Sequence, residues 1–134
     1  MAVGHREMTE RAETFFAAYN RRDWDECFAE VDPEVEWDPV EENVRYRGRA
    51  AIVEYFERWL AVWSEFRVEL EEIEFTPSED RQFSAMRYVA KVPASDTEVE
   101  GHFFSVIEMR DGRWWRGKEF IDRTEARAAF EGNG

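Results

Sequence analysis

The residues able to do chemistry in this chain gather near its C-terminal end, in two strand-like runs over 98–110 and 113–121 joined by Asp111-Gly112. Asp-Gly between β-branched and aromatic runs predicts a tight hairpin, because glycine takes positive φ freely and Asp tolerates it. Period-2 alternation then assigns faces. Trp114, Arg116, Lys118 and Phe120 share one side, and the two cations mark it as the wetter one. Trp115, Gly117, Glu119 and Ile121 share the other, which leaves Glu119 as an inward-facing carboxylate. A carboxylate taken out of water must be paired or put to use. Arg87, on the preceding strand and on the same predicted face, is the candidate partner. Desolvation alone raises the pKa of Glu119 and suits it as a base at neutral pH, whereas an adjacent Arg87 lowers it and makes the two a structural ion pair. His102 falls in the set with Phe104, Val106 and Glu108, opposite the charge-free set of Gly101, Phe103, Ser105, Ile107 and Met109, so it is expected on the outer sheet surface. His5 lies in an N-terminal segment, 1–6, expected to fray, as is 131–134. With no cysteine cluster beside these histidines, no metal site is expected.

Composition narrows the function classes. The 134 residues suit one domain that needs no disulfide to hold its core. Eighteen Lys and Arg against thirty-one Asp and Glu leave a net charge of −13, which repels a phosphate backbone and argues against nucleic acid as a partner. The longest apolar runs are far short of a membrane span, and the charged N-terminus does not resemble a secretion signal, so a cytoplasmic protein with no membrane partner is expected. Cys27 is the single cysteine, and its spacing with Trp24, Phe28 and Val31 makes it a small core hydrophobe. No glycine-rich phosphate cradle is present, and no cofactor is expected.

Periodicity orders the elements. Met8, Ala12, Phe15, Phe16 and Tyr19 mark a first helix that stops at Asn20-Arg-Arg. Asp23 with Glu26 three later forms a capping box opening a short helix over Trp24, Cys27, Phe28 and Val31, closed by Pro33. A brief strand over 35–38 ends at Pro39, and the polar stretch to Arg47 reads as loop. From Gly48, the residues Ile52, Tyr55, Phe56, Trp59, Leu60 and Trp63 give a longer helix with an aromatic stripe. Phe66, Val68 and Leu70 alternate with charges, but the parity switches at Glu71-Glu72, which predicts a β-bulge before Ile73 and Phe75. A strand over 82–92 and the hairpin follow, and Asp122 or Thr124 could cap a terminal helical turn.

Helices followed by antiparallel strands make an α+β pattern. In their order along the chain, the segments 15–24, 32–39, 46–49, 52–56, 109–112 and 118–122 resemble the SnoaL-like proteins of the nuclear transport factor 2-like, or ketosteroid isomerase-like, superfamily. The resemblance implies a cone-like fold, in which a curved antiparallel or mixed sheet wraps around three N-terminal helices and encloses a pocket. It further implies a small apolar ligand, with Phe15, Tyr19, Trp37, Tyr55, Trp59, Phe103, Trp115 and Ile121 as walls. In the isomerase pattern the base carboxylate corresponds to Asp38 in Val35-Glu-Trp-Asp-Pro39, with one residue inserted. Strict alternation turns Asp38 outward, and a bulge before Pro39 turns it in. The protonated oxyanion acid of that pattern falls on Ser105, a weaker donor, and the tyrosine partner falls nearest Phe15, one turn from Tyr19. In the epoxide hydrolase pattern Arg87 and Glu119 match, but Val89 replaces the required carboxylate. The superfamily includes enzymes and binding proteins, so three functions are carried: a cofactor-independent isomerase or cyclase using carboxylate acid–base chemistry at Glu119 or Asp38, a non-catalytic ligand binder, and a dimerisation module whose pocket is filled by Trp37, Trp59, Trp63 and Phe103. Phe104, Val106, Trp114 and Phe120 form too apolar a set to stay wet, and a homodimer through that convex face is expected.

Overall fold

The computed structural model describes residues 4–40 and 43–132. The first apolar stripe becomes helix α1, His5–Asn20, which buries Met8, Ala12 and Tyr19. His5 begins this helix, inside the segment 1–6 expected to fray, and its ring tilts against Phe75 at 5.1 Å; residues 1–3 of that segment lie outside the described residues. Asp23 caps α2 by accepting the Glu26 N–H at 3.2 Å, but α2 spans only Trp24–Cys27. Val31 and Pro33 belong instead to strand β1, Val31–Asp38, longer than its alternation suggested. Pro33 is tolerated there because it lies within an irregular stretch of the β1 ladder, between Val31 and Glu36, where no donor is needed. The stretch expected as loop contains a two-residue strand β2, Tyr46–Arg47, antiparallel to β1. Gly48 then turns the chain with φ 83°, donates its N–H to Val35 at 2.7 Å, and starts α3, Arg49–Ala61.

Strands β3 (Glu65–Phe75), β4 (Arg81–Lys91), β5 (Glu98–Arg110) and β6 (Arg113–Phe120) form an antiparallel meander. The bulge in β3 lies where parity switched, between Leu70 and Glu72. The β5–β6 turn has Asp111 at φ 53° and Gly112 at φ 74°, both positive as a two-residue hairpin turn of the primed type requires. β1 pairs parallel to β6, giving among the described residues one six-stranded mixed sheet in the order β2-β1-β6-β5-β4-β3. The fold is thus α+β, with a cone-like curved sheet around its helices.

The two faces of this sheet carry separate cores. The inner one joins α1, α2 and α3 to Val35, Phe66, Val68, Met86 and Trp114. The outer one consists of Phe83, Ala85, Val106 and Phe120, covered by Ala126 and Phe130 of a fourth helix, α4, Arg123–Glu131. Asp122 caps α4 by accepting the Glu125 N–H at 3.0 Å. Arg123 and Arg127 then bind Glu72 and Glu74 of β3 and lie over the rings of Phe83, Phe104 and Phe130. The apolar face that a second copy was expected to cover is therefore covered by this chain's own α4. A full helix stands where a single turn was expected. Trp114 does not belong to that face at all; it turns inward against Phe15, with ring centroids 5.0 Å apart.

Candidate functional site

The helices meet the concave side of the sheet without filling it. A cavity of about 180 Å³ remains, walled by Phe15, Phe16 and Tyr19 of α1, Tyr55, Phe56 and Trp59 of α3, Trp37 of β1, and Met86, Phe103 and Trp114 of the sheet. A buried apolar void near 150 Å³ already accepts a benzene ring, so this one has room for a small ring system. A wider groove between α1, α2 and the hairpin measures about 420 Å³, but it is a surface depression edged by Glu7, Glu10, Glu26 and Glu30 with no convergent chemistry. Cys27 borders that groove and is buried; desolvation pushes its thiol far above the ordinary value, which keeps it protonated and inert.

Local packing explains each wall. Trp37 pairs with Gly117 across β1 and β6, and its ring lies where a side chain at 117 would otherwise stand: a Cβ there would be 2.7 Å from ring atoms Cε3 and Cζ3. Likewise Gly101 leaves space for the Tyr88 ring, which stacks on Phe66 at 5.5 Å and 16°. Tyr55 stacks on Tyr46 at 5.2 Å, and the Tyr46 hydroxyl accepts from Arg58 Nη2 at 2.7 Å.

Phe15, Tyr19, Trp37, Tyr55, Trp59, Phe103, Ser105 and Glu119 all line the cavity, and Ile121 lies at its rim, 70% exposed. Glu119 pairs with Ser105 across β5 and β6 and accepts the Val40 N–H at 3.2 Å through Oε1. Three candidates fall elsewhere. Trp115 is the extra residue of a second bulge, since Glu108 pairs with Arg116 but Met109 with Trp114. The bulge turns Trp114 into the cavity, while Trp115 is held outside between the guanidinium groups of Arg110 and Arg116, 4.6 and 4.3 Å from its ring centroid. Asp38 pairs with Lys118 on the outer face and is held bidentately by Arg45, Oδ1 on Nε at 2.8 Å and Oδ2 on Nη2 at 3.0 Å. That hydrogen-bonded guanidinium keeps its carboxyl below the usual carboxylate range. Arg87 pairs with His102, three residues from Ser105 and hence on the opposite face from Glu119. It binds Glu100 at 2.8 and 2.9 Å and Glu69 at 3.1 Å, so the anticipated Arg87–Glu119 pair is not formed. His102 stands with this outer charge ladder, its Nε2 3.3 Å from Glu71.

Gln82, 1% exposed, lines the inner wall and was missed, although its parity with Met86 and Tyr88 on β4 marks it as inward. It accepts from Trp114 Nε1 at 3.1 Å and donates to Ser84 Oγ at 2.9 Å. Among the described residues no group of three or more His, Cys, Asp or Glu is arranged to hold a metal, and no helix is long and apolar enough to cross a membrane.

The cone-like α+β fold with an aromatic cavity between helices and sheet defines the class of fold. Residues 12–117 match the model of the SnoaL-like domain, and the chain belongs to that family. Similar solved structures include TerC co-crystallised with polyporic acid, at 21% identity and TM-score 0.74 over 92% of this chain and 98% of that one. A protein of ketosteroid isomerase-like fold from Catenulispora acidiphila, in complex with trimethylamine, gives 12% and 0.72 over 93% and 94%. A nuclear transport factor 2-like protein of unknown function from Burkholderia pseudomallei gives 15% and 0.73 over 92% and 95%. At these identities the likeness is one of fold. Among curated proteins there is no significant match.

Proposed function

We propose that the chain binds an uncharged, ring-bearing small molecule in the cavity between its helices and its sheet. The observation that carries this reading is the unfilled space itself, about 180 Å³ bounded mainly by aromatic and aliphatic side chains. Such a lining solvates no phosphate and few hydroxyls, so the ligand's surface must be mainly apolar. An open cavity also speaks against a module whose pocket is merely plugged by Trp37, Trp59 and Phe103, and Trp63 is not among its walls. Homodimerisation through the outer face is not part of the proposal, because α4 occupies that face. A structural neighbour's co-crystals with polyporic acid are in keeping with a ring-bearing ligand as an analogy of fold. A thermal-shift screen of uncharged bicyclic lactones, enones and epoxides against sugars and phosphate esters tests the reading. Stabilisation by the first set supports it; none, or the strongest stabilisation by the second set, overturns it.

Glu119 favours a second, catalytic reading in the isomerase or cyclase manner. It is a carboxylate on the inner face of β6, beside Ser105 and at a cavity wall, where it could take a proton from a bound ligand while a hydroxyl donor meets the charge that develops. Turnover of a stabilising ligand that rises with pH and falls about 10²-fold or more in Glu119→Gln would support it. Binding with no turnover would leave a carrier.

A further inference from the structure

The cavity ends at a wall that it shares with the groove between α1, α2 and the hairpin. Val31 and Trp114 line both spaces, and Met109 lines the groove beside them. These three are ladder partners, Val31 with Trp114 across β1 and β6 and Trp114 with Met109 across β6 and β5, so they form one row near the hairpin end of the sheet. Within that row the indole has the longest reach. Its Nε1 donates to Gln82 Oε1 at 3.1 Å, and Gln82 belongs to β4, on the far side of β5 from Trp114. Two strand spacings, about 10 Å, separate β6 from β4, so ring and amide meet by bridging β5 from both sides. Gln82 pairs with Ile107, a cavity residue, and Trp114 with Met109, a groove residue, so the bridge crosses β5 between the two. It is a bar laid across the sheet, with about 180 Å³ of space on one side and about 420 Å³ on the other.

The bar is held at each end. Phe15 packs edge-on against the indole at 5.0 Å and 74°, and the Gln82 amide donates to Ser84 Oγ at 2.9 Å. Trp114 is 8% exposed and Gln82 1%. Swinging the ring aside would strand an indole donor and an amide acceptor away from water, so a ligand cannot displace it as it could an aliphatic side chain with free rotamers. We propose that Trp114, pinned by Gln82 as its positioning residue, is the end wall that sets the length of ligand this protein accepts, about two fused rings, and that the groove is the space a longer ligand would enter were the wall shorter. This deepens the proposed binding function and rests on it. The limit follows from volume, since the cavity is little larger than the ~150 Å³ that takes one benzene ring.

The test compares 1-indanone with 9-fluorenone, the same ketone with one more fused ring, by isothermal calorimetry on the full chain. The native protein is expected to bind 1-indanone tighter by about tenfold or more, the effect of forcing a ring against a wall that does not yield. In Trp114→Ala the preference reverses. Trp114→Phe keeps an aromatic ring against Phe15 but cannot donate to Gln82, and the preference shrinks several-fold; it carries the test should the alanine variant not fold. Gln82→Met keeps the length and loses the amide acceptor, so the unpinned ring gives way and the preference shrinks while 1-indanone affinity holds. A merely structural role for either residue would weaken both ketones alike. Trp59→Phe removes the same atoms from a wall that the groove does not share, and should leave the preference as it is; an equal gain for 9-fluorenone there would show that volume alone matters and overturn the end wall. So would a native chain that binds both ketones equally, or a preference unmoved in the Trp114 variants, and a preference untouched by Gln82→Met would overturn the pinning. Failure of both ketones to bind the native chain overturns the proposed ligand cavity, and this inference with it.

Discussion

Gly117 is the position where one added methyl group should reshape the cavity. Its backbone is an ordinary extended strand, so alanine strains no dihedral; what it meets is the Trp37 ring, with a Cβ 2.7 Å from Cε3 and Cζ3 and 3.5 Å from Ile107 Cγ1. Carbon contacts relax at ~3.5–4.0 Å, so the ring must retreat by about 1 Å. The backbone cannot open to help, because Trp37 and Gly117 are partners in the parallel ladder. The indole must therefore rotate away from β6. Overpacking of this kind costs ~1–3 kcal/mol. Replacing glycine in a strand returns ~0.5–1 kcal/mol of backbone entropy, which leaves a net loss of about 1–2 kcal/mol. For a chain of this size that lowers Tm by roughly 3–8 °C. Ligand affinity should fall by about tenfold or more, since Trp37 is a cavity wall. Differential scanning calorimetry and a binding titration read both effects. A double-mutant cycle with Trp37→Leu isolates the cause: with the large ring gone, the alanine should cost little, so the two changes are strongly non-additive. Additive effects, or a Gly117→Ala protein as stable and as tight-binding as the native one, would refute the steric argument.

Glu119→Ala should cost about 1 kcal/mol in a denaturant melt by removing the acceptor of the Val40 N–H, whereas Glu119→Gln should cost clearly less because its oxygen still accepts. A loss of 3–5 kcal/mol in Glu119→Gln, as a stranded buried Arg87 would produce, would contradict the outer placement of Arg87. Phe130→Ala, truncating a residue 4% exposed, should lose ~3–5 kcal/mol. It should also uncover Phe83 and Val106, so that the variant self-associates in sedimentation velocity; an unchanged monomer–oligomer balance and melting curve would show that α4 does not hold that face. The Asp38 carboxyl is held below its ordinary 3.8 first by the hydrogen bonds from Arg45. A depressed folded-state pKa contributes stability that is complete above 3.8 and disappears as pH falls through the lowered value. Asp38→Asn should accordingly flatten the acid limb of the stability–pH curve below about pH 4 and leave ligand binding at neutral pH unaltered. A variant with the native acid limb, or with impaired binding, would place Asp38 at the cavity instead.

Short-range chemistry made much of this molecule legible from its residues. The Asp111-Gly112 turn, the Asp23 and Asp122 caps, the bulge at Glu71-Glu72 and the helical stripes through Phe15 and Tyr55 each depend on neighbours within a few positions, where dihedral preference and periodicity act directly. From those stripes, most of the cavity's walls followed, and Glu119 and Ser105 were assigned to the inner face by alternation alone. Long-range pairing decided the rest. Nothing local to Val31–Asp38 says that it lies parallel to β6, and that pairing is what places Asp38 beside Lys118 and Arg45 on the outer surface. The extra residue at Trp115 reverses one pair of faces, because a strand's side-chain period is two and a single bulge exchanges Trp114 for Trp115. The register of β4 on β5 and of β5 on β6 sets Arg87 and Glu119 on opposite faces, although both suited an inward position when each strand was read alone. The outer apolar residues looked like an interface until α4, a short helix with little apolar content of its own, folded back over them. Charges and alternation are properties of a segment, but which surface remains wet is a property of what finally packs against it.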